Sequence, residues 1–463
     1  MLRATRRWLS ASRMPPQHPL IAIVGATGTG KSRLAVSLAQ RFNGEIINGD
    51  VLQMYEGLPI VTNKITLEER KGIQHHLLGC IKVDQETWTV RQFVDSAAEL
   101  IEDIRSRNKV PILVGGTHYY TQSLLFTNTV VDEDSEHVSK ELQEQKWPIL
   151  KANTSEMLDE LYKVDPLMAV RWHPHDQRKI RRSLEVCLTT GKKASDIYHQ
   201  QRRLRPENRS HDTNQSLGDT DQPFASDSGV PLRYSTLILW THAASDILNK
   251  RLEERVDGMV SDGLLEEVRC MHTFQEDQTH QGRSPDQSRG IWVAIGFKEF
   301  EPYITHQHRS ERIRKESIER TKIATRQYAR RQVRWIRIKL QRAVTAADSS
   351  HSMYLLDSSN ISQWQKDVEA KASEITASFL NGAALPEPSS LSDAALENLG
   401  TTKEVTQSAR FCMACDKTLM TDEQWMGHLK SKGHRKAMRP KIDWEEMYPD
   451  ANRTGSTEPK LAD

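Results

Sequence analysis

Long apolar runs are missing from this 463-residue chain, and no stretch approaches the roughly 20 residues that a membrane-spanning helix needs. Cysteine is scarce too: there are five, and Cys80, Cys187 and Cys270 are widely scattered. This excludes a disulfide framework and indicates a reducing compartment. Charge of one sign is also lacking, because 64 Lys and Arg against 62 Asp and Glu leave a net charge of +2. A polycationic coat over the whole protein is therefore excluded.

The N-terminal segment lacks acidic residues, since no Asp or Glu occurs from Met1 to Gly44. Its first 18 residues mix arginine and serine with leucine and tryptophan, which is the composition of a mitochondrial transit peptide. A disordered basic extension is the alternative. The composition predicts a mitochondrial and cytoplasmic location, with the nucleus as a further option, and a folded part that begins near Pro19.

Short apolar runs alternate with amphipathic segments in the first half of the chain. Four runs are predicted to be strands, at Leu20–Val24, Glu45–Asn48, Val110–Val114 and Ser235–Trp240. Their alternation with helical segments predicts an α/β fold, in which a parallel sheet is flanked by helices and ligands bind at the carboxyl ends of the strands. Gly25, Asp50 and Thr117 all follow such ends.

One segment between the first predicted strand and its helix fits the phosphate-loop pattern GxxxxGK[ST]. Its residues are predicted to bind a diphosphate: Gly25, Ala26, Thr27, Gly28, Thr29, Gly30, Lys31 and Ser32. Glycines let backbone N–H groups close around phosphate oxygens, Lys31 supplies positive charge, and Ser32 can ligate Mg²⁺. An ordinary turn is the alternative.

The chemistry beside this loop favours group transfer over an ATP-driven motor. The strand Val110–Val114 runs into two glycines and Thr117, whereas NTPases commonly place an acidic Mg²⁺ ligand after such a strand. Asp50 lies one strand away and could act as a general base or assist the metal. An Asx turn or a helix cap after Gly49 explains Asp50 equally well.

A second metal motif lies near the C-terminus. Cys412, Cys415, His428 and His434 have the spacing of a two-cysteine, two-histidine zinc finger, which predicts structural Zn²⁺. The small core that the metal would organise is assigned to Phe411, Leu419 and Trp425. The histidine spacing is similar to that of matrin-type fingers, which are associated with RNA. Added affinity for RNA and docking of a protein are the two functions considered for the finger.

Seven segments, taken in order, resemble the tRNA dimethylallyltransferase (tRNA isopentenyltransferase) family, and they cover about Pro19 to Asp357. They are GATGTGKS, NGDVLQMYEGLPIVTNK, QHHLLG, VPILVGGTHYY, DQRKIRRSLEV, IGFKEF and TRQYARRQVRW. The resemblance implies Mg²⁺-assisted transfer of a dimethylallyl group from dimethylallyl diphosphate to the exocyclic amine of the adenosine 3′ of the anticodon. Pyrophosphate leaves, and the enzyme is expected to be a monomer that binds the tRNA anticodon loop.

The resemblance also implies roles for particular residues. Asp50 would take the amine proton, while Lys31 and Thr27 would act at the diphosphate. Arg251, with Arg255 one turn later, is a candidate for the same diphosphate, and solvated helix arginines are the alternative. Contacts with tRNA are assigned to Asp50, Val51, Leu52, Gln53, Thr117, Arg178, Lys179, Ile180, Arg181, Arg182, Arg326 and Arg330. A charged surface helix is the alternative for the cluster at 178–182.

The segment Arg309–Arg342 holds thirteen Lys or Arg against three Glu on a helix-compatible sequence. Its cationic stripe is predicted to consist of Arg326, Arg330, Arg334 and Arg337, and its core face of Val333, Ile336 and Leu340. Contact with an RNA phosphate backbone is expected, with a solvated helix as the alternative.

Composition and motifs together predict eight divisions of the chain. They are a basic leader at 1–18, a phosphate-loop core at 19–131, an inserted helical tRNA-binding domain at 132–205, a disordered loop at 206–230, the rest of the core at 231–357, a helix and polar linker at 358–409, the zinc finger at 410–440 and a tail at 441–463. Two other functions stay open, an adenylate isopentenyltransferase and an RNA-binding phosphate-loop ATPase or nucleotide kinase. The basic helix and the finger favour a macromolecular acceptor.

Overall fold

The computed structural model describes residues 14–127, 145–197, 230–282, 286–287, 289–305, 310–400, 407–415 and 417–438. The predicted leader up to residue 13, the loop 206–229 and the tail 441–463 lie outside these residues. The described chain divides into one unit of residues 14–127 and 230–400 and a second of residues 145–197 and 407–438. Within these ranges, no helix is both long and apolar enough to span a bilayer.

A six-stranded parallel sheet lies at the centre of the first unit, in the order β3-β2-β4-β1-β5-β6. Its strands are β1 (Pro19–Gly25), β2 (Gly44–Asn48), β3 (His75–His76), β4 (Val110–Val114), β5 (Ser235–His242) and β6 (Met353–Asp357). β1 is central, because Ile21 pairs with Ile112 on one side and with Leu237 on the other. The sheet confirms the predicted α/β fold, and β3 and β6 are additional to the four strands expected.

Helices cover both faces of this sheet, so its central strands are apolar runs rather than alternating ones. The helices of this unit are Lys31–Arg41, Val90–Ser106, His118–Leu125, Ser245–Ser261, Leu264–His280, Phe297–Thr305, Glu311–Trp335, Gln341–Ala346, Lys371–Leu380 and Asp393–Leu399. The helix Glu311–Trp335 is called the basic helix below. Ile336 and Leu340, just after it, are buried as predicted.

The segment predicted as a polar linker is folded as far as residue 400. Its helix Asp393–Leu399 buries Ala395 completely. The backbone carbonyl of Pro386 accepts a 2.9 Å hydrogen bond from the hydroxyl of buried Tyr354. A few apolar residues spaced along a polar sequence are therefore enough to hold this segment on the core.

The second unit contains a small helical core and the finger. Three of its helices are Thr154–Val164, Pro166–Arg171 and Gln177–Thr190, and they pack around Met157, Leu161 and Leu184. The finger has two antiparallel strands, β7 (Gln407–Cys412) and β8 (Lys417–Thr421), and two helices, Asp422–Leu429 and Lys432–Ala437. The domain boundaries inferred from composition stay predictions.

Candidate active site and metal centre

Loops that follow β1, β2 and β4 meet at the carboxyl edge of the sheet. The backbone N–H of Gly49 donates to the carbonyl of Val114 at 2.7 Å. The N–H of Val51 donates to the hydroxyl of Thr117 at 3.1 Å. These bonds tie the loop after β2 to the loop after β4, and so Asp50 and Thr117 lie on adjoining loops, as parallel topology requires.

The phosphate loop takes a conformation that only glycine adopts readily. Gly28 and Gly30 both have φ of 85°, in the left-handed region. Gly30 directly precedes the helix Lys31–Arg41, and no side chain caps that helix. A Cβ atom on Gly30 would also collide with the buried ring of Trp364. The first N–H groups of the helix are thereby left for an anion.

Lys31 and Asp50 are two partly buried, oppositely charged groups beside this loop. The Lys31 ammonium donates to the carbonyl of Ala26 at 2.8 Å. Burial lowers the pKa of Lys31 to about 8, although the charge of Asp50 acts in the opposite direction. Burial likewise raises the pKa of Asp50, and Lys31 and the N–H of Leu52 oppose that rise. The pair thus combines a basic carboxylate with a cation poised to bind phosphate.

The Asp50 carboxylate also makes the local cap that the sequence allowed. Its Oδ1 accepts a hydrogen bond from the N–H of Leu52 at 3.3 Å, at the start of the short helix Val51–Met54. A Cβ atom on Gly116 would lie 2.5 Å from Asp50 Oδ2, so the glycine allows the carboxylate to approach the loop after β4. Because one oxygen caps and the other faces Gly116, the cap and a chemical role are compatible.

Gln332, on the basic helix, is a site residue that sequence reasoning missed. Its Oε1 accepts a hydrogen bond from the N–H of Thr27 at 2.8 Å, and its Nε2 donates to the carbonyl of Gly116 at 2.9 Å. The buried amide thus joins the phosphate loop to the loop beside Asp50. The sequence indicates Gln332 only through its position in the segment TRQYARRQVRW, and the arginines of that segment point to RNA contact instead.

Tyr328 lies one turn before Gln332 and was also missed. Its hydroxyl shares a hydrogen bond with Gln332, while burial, with a smaller contribution from the charge of Asp50, raises the pKa of the phenol. Tyr328 therefore stays protonated and can act only as a neutral donor or acceptor near the carboxylate.

Of the two arginines considered for the diphosphate, the structure brings Arg255 to the loop. Its Nη1 donates to the Thr27 hydroxyl at 2.6 Å. Arg251 is directed to another loop, because its Nη2 donates to the carbonyls of Ser358 and Ser359, both at 2.7 Å, and its contact with the diphosphate stays a prediction. The two arginines share one helix face but meet different loops, which composition cannot foresee.

Several predicted tRNA contacts of the first unit are already engaged within the protein. Val51 and Leu52 are half-buried against the core. The Gln53 side chain donates to the carbonyl of Asn63 at 3.1 Å. Arg326 pairs with Glu253. Arg330, by contrast, is exposed on the basic helix.

The cluster at 178–182 is divided by the phase of its helix. Arg178, Lys179 and Arg182 are exposed. Ile180 is fully buried in the small core of the second unit, so the prediction that its side chain contacts tRNA is wrong. Arg181 donates to Glu185 at 2.8 Å and to the carbonyl of Leu150 at 2.9 Å, which gives it a structural task. The alternation follows because a helix lying on a core must turn some of its residues inward.

The four predicted zinc ligands are brought together in the finger. Ligand atoms of Cys412, Cys415, His428 and His434 all lie within 4.8 Å of one another. The Nδ1 atom of His434 is 3.5 Å from both cysteine sulfurs. Bond lengths of about 2.3 Å for Zn–S and about 2.0 Å for Zn–N give tetrahedral edges of about 3.5 Å, so this donor set fits Zn²⁺. The prediction that Phe411 joins the finger core is wrong, because the side chain is 54% exposed.

The comparisons with known proteins agree with this geometry. Residues 53–339 match the family described as IPP transferase, and residues 410–435 match a zinc-finger double-stranded RNA-binding family. The tRNA dimethylallyltransferase of Mus musculus is 36% identical over 95% of this chain and 90% of its own, and that of Schizosaccharomyces pombe is 37% identical over 92% and 96%. A crystal structure of a eukaryotic dimethylallyltransferase acting on tRNA matches with a TM-score of 0.71 and 32% identity, over 93% of this chain and 99% of the other.

Proposed function

The chain belongs to the IPP transferase family, which includes the tRNA dimethylallyltransferases, and we propose that it transfers a dimethylallyl group from dimethylallyl diphosphate to the exocyclic amine of the adenosine 3′ of a tRNA anticodon. The observation that carries the proposal is the proximity of Asp50 and Lys31, two partly buried groups of opposite charge beside the phosphate loop. A base and a diphosphate-binding cation are the two groups that this transfer needs.

The phosphate loop stabilises the leaving group. As the amine nitrogen bonds to the allylic carbon, the carbon–oxygen bond to the diphosphate breaks and negative charge develops on pyrophosphate. Lys31 and the free N–H groups after Gly30 face that charge. Arg255, which is already bonded to Thr27, adds a second cation at the same loop. These groups lower the barrier because they are in position before the bond breaks.

Asp50 takes the proton that the amine loses. Its burial raises the pKa of the carboxyl, which makes the carboxylate a better base than an exposed aspartate, while the Lys31 charge opposes that rise and favours the ionised form. Gln332 holds Thr27 and Gly116 together, and so it fixes the separation between the leaving-group side of the site and the base. The acceptor adenosine must be unstacked to reach this position.

Mg²⁺ fits the same loop on the chemistry of its donors. The exposed Ser32 follows Lys31 directly, and a hydroxyl together with diphosphate oxygens is an all-oxygen set of the kind that this ion prefers. When bound, Mg²⁺ would neutralise part of the diphosphate charge.

Two further proposals accompany the catalytic one. The finger adds affinity for tRNA, which is supported by its match to a double-stranded RNA-binding family and by the exposed Arg410, Lys430 and Lys432. The protein is located in mitochondria and cytoplasm, which rests on the acid-free leader composition. The second proposal is tested by imaging the full-length chain and a chain that starts at Met14. An equal mitochondrial signal from the two chains would contradict the proposal.

Incubation with radiolabelled dimethylallyl diphosphate, Mg²⁺ and either tRNA or AMP tests the function. Label in tRNA, on the adenosine 3′ of the anticodon, is the expected result. Label in AMP alone would identify an adenylate isopentenyltransferase. No label with either acceptor, together with ATP turnover, would instead identify an ATPase.

A further inference from the structure

An exposed aromatic side chain follows the loop after β4 and takes no part in the chemistry described above. Tyr119 is in the first turn of the helix His118–Leu125, two residues after Thr117, and is 45% exposed. Its ring meets that of Trp335 edge to face, with the ring centroids 5.9 Å apart and the planes at 65°. Such a ring offers an apolar face to a ligand from solvent.

A hydrogen bond to a buried side chain fixes the ring of Trp335. Its Nε1 donates to the Oε1 of buried Gln122 at 3.0 Å, and Gln122 belongs to the same helix as Tyr119. The aromatic pair therefore bridges two helices and is fixed at its inner end. A ring supported in this way loses little conformational entropy when a ligand stacks on it.

Residues close in sequence to the pair contact the candidate site. Gln332, three residues before Trp335, bonds to Gly116, which is three residues before Tyr119. Gly116 also packs directly against the Asp50 carboxylate. Tyr119 is therefore three residues along the chain from the contact between Gly116 and the Asp50 carboxylate.

The charge around the pair indicates what binds there. Arg330, Arg331 and Arg334 are exposed on the basic helix that carries Trp335. A flat aromatic ring beside exposed guanidinium groups is the combination that binds single-stranded RNA, with the base on the ring and the phosphates at the cations.

We propose that Tyr119 is a stacking platform for an unstacked base of the tRNA anticodon loop, adjacent to the acceptor adenosine. The proposal rests on the proposed function. Extruding the acceptor leaves its neighbour without a stacking partner, and the Tyr119 ring replaces that partner. Tyr119 thus makes the enzyme favour an anticodon loop over a free nucleotide as the acceptor, because AMP has no neighbouring base to stack on the ring.

Steady-state transfer and equilibrium tRNA binding in Tyr119→Phe, Tyr119→Leu and Tyr119→Ala test the platform. We expect Tyr119→Phe to match the wild type, because stacking needs the ring and not the hydroxyl. Tyr119→Leu and Tyr119→Ala should weaken tRNA binding about 5- to 100-fold, the range measured when stacking aromatics are removed. The KM for dimethylallyl diphosphate should not change. Ile323→Ala is the matched control, because Ile323 is also 45% exposed and lies on the basic helix.

Three outcomes overturn the platform. They are unchanged tRNA binding in Tyr119→Ala, an equal loss in Tyr119→Phe, and a raised KM for the donor. Failure of the wild type to label tRNA would refute the proposed function instead. Because tRNA binding is measured without turnover, the platform would still be decided in that case.

Discussion

The carboxamide oxygen of Gln332 accepts a hydrogen bond of 2.8 Å from the backbone N–H of Thr27, although 305 residues separate the two in sequence. The nitrogen of the same side chain donates to Gly116, beside Asp50. A single amide therefore connects the loop 25–32 to the loop beside Asp50. The distance between these two loops thus depends on the basic helix as well as on the sheet.

Replacing Gln332 by Glu should lower kcat. The carboxylate still accepts from Thr27, but it cannot donate to Gly116 and adds negative charge near Asp50. We expect a loss of about 10- to 100-fold, because misplacement of about 1 Å has such an effect on positioned groups. Gln327→Glu, at an exposed position of the same helix, is the control. Equal kcat for both variants would show that the connection does not affect the chemistry.

Asp50→Asn separates the two tasks of Asp50. The asparagine oxygen can still accept from Leu52 N–H, so the cap at Val51–Met54 is kept, but the amide cannot take a proton. We expect kcat to fall about 10²- to 10⁴-fold, with tRNA and donor binding nearly intact. Binding and transfer are measured on the same preparation. Loss of tRNA binding in this variant would mark Asp50 as structural.

Arg255→Gln and Arg251→Gln form a matched pair on one helix face. Arg255→Gln removes the cation bonded to Thr27, and the KM for the donor should rise about 10- to 100-fold, as expected for a charge-assisted hydrogen bond. Arg251→Gln should leave that KM unchanged and lower the free energy of unfolding by about 1–3 kcal/mol, because the carbonyls of Ser358 and Ser359 lose their donor. The reverse pattern would identify Arg251 as the diphosphate ligand.

The pH dependence of kcat/KM for dimethylallyl diphosphate should report Lys31 in the free enzyme. Burial lowers its pKa to about 8, so the ammonium that binds phosphate is present below pH 8 and is lost above it. We expect kcat/KM to fall about tenfold per pH unit well above that value. Lys31→Arg keeps its charge, so this variant should lose the inflection. A profile that is flat to pH 10 in the wild type would contradict the assignment.

Zinc content tests the finger. The purified chain should bind one Zn²⁺, and Cys412→Ser combined with Cys415→Ser should abolish binding, because two thiolates of the four ligands are lost. tRNA binding should weaken while the KM for the donor stays constant. Arg435→Ala, at an exposed position in the helix Lys432–Ala437, should keep the metal and still weaken tRNA binding. Unchanged tRNA binding in both variants would remove the RNA role of the finger.

The helical segments illustrate the limit of reading the sequence alone. Ile180 lies within a basic run that predicts contact with tRNA, yet it is buried because the helix Gln177–Thr190 must turn one face to its small core. The sequence predicts Phe411 in the finger core, but its side chain is exposed. In both cases the residue type was known but its direction was not, since packing against other elements sets the rotation of a helix or a strand.

The sequence by itself determined the α/β class of the sheet, the glycine turn before the helix Lys31–Arg41 and the four residues of the metal cluster. These features depend on residues that are close together in the sequence. An apolar strand, a glycine turn and a helix follow one another and set the position of Lys31, and the spacing of two cysteines and two histidines brings the four metal ligands together. Only the tertiary structure decided that Gln332 joins Thr27 to Gly116, that Arg255 rather than Arg251 reaches the loop, and that Tyr119 meets Trp335. Those contacts join segments far apart in the chain, and the packing of helices on the sheet sets their partners.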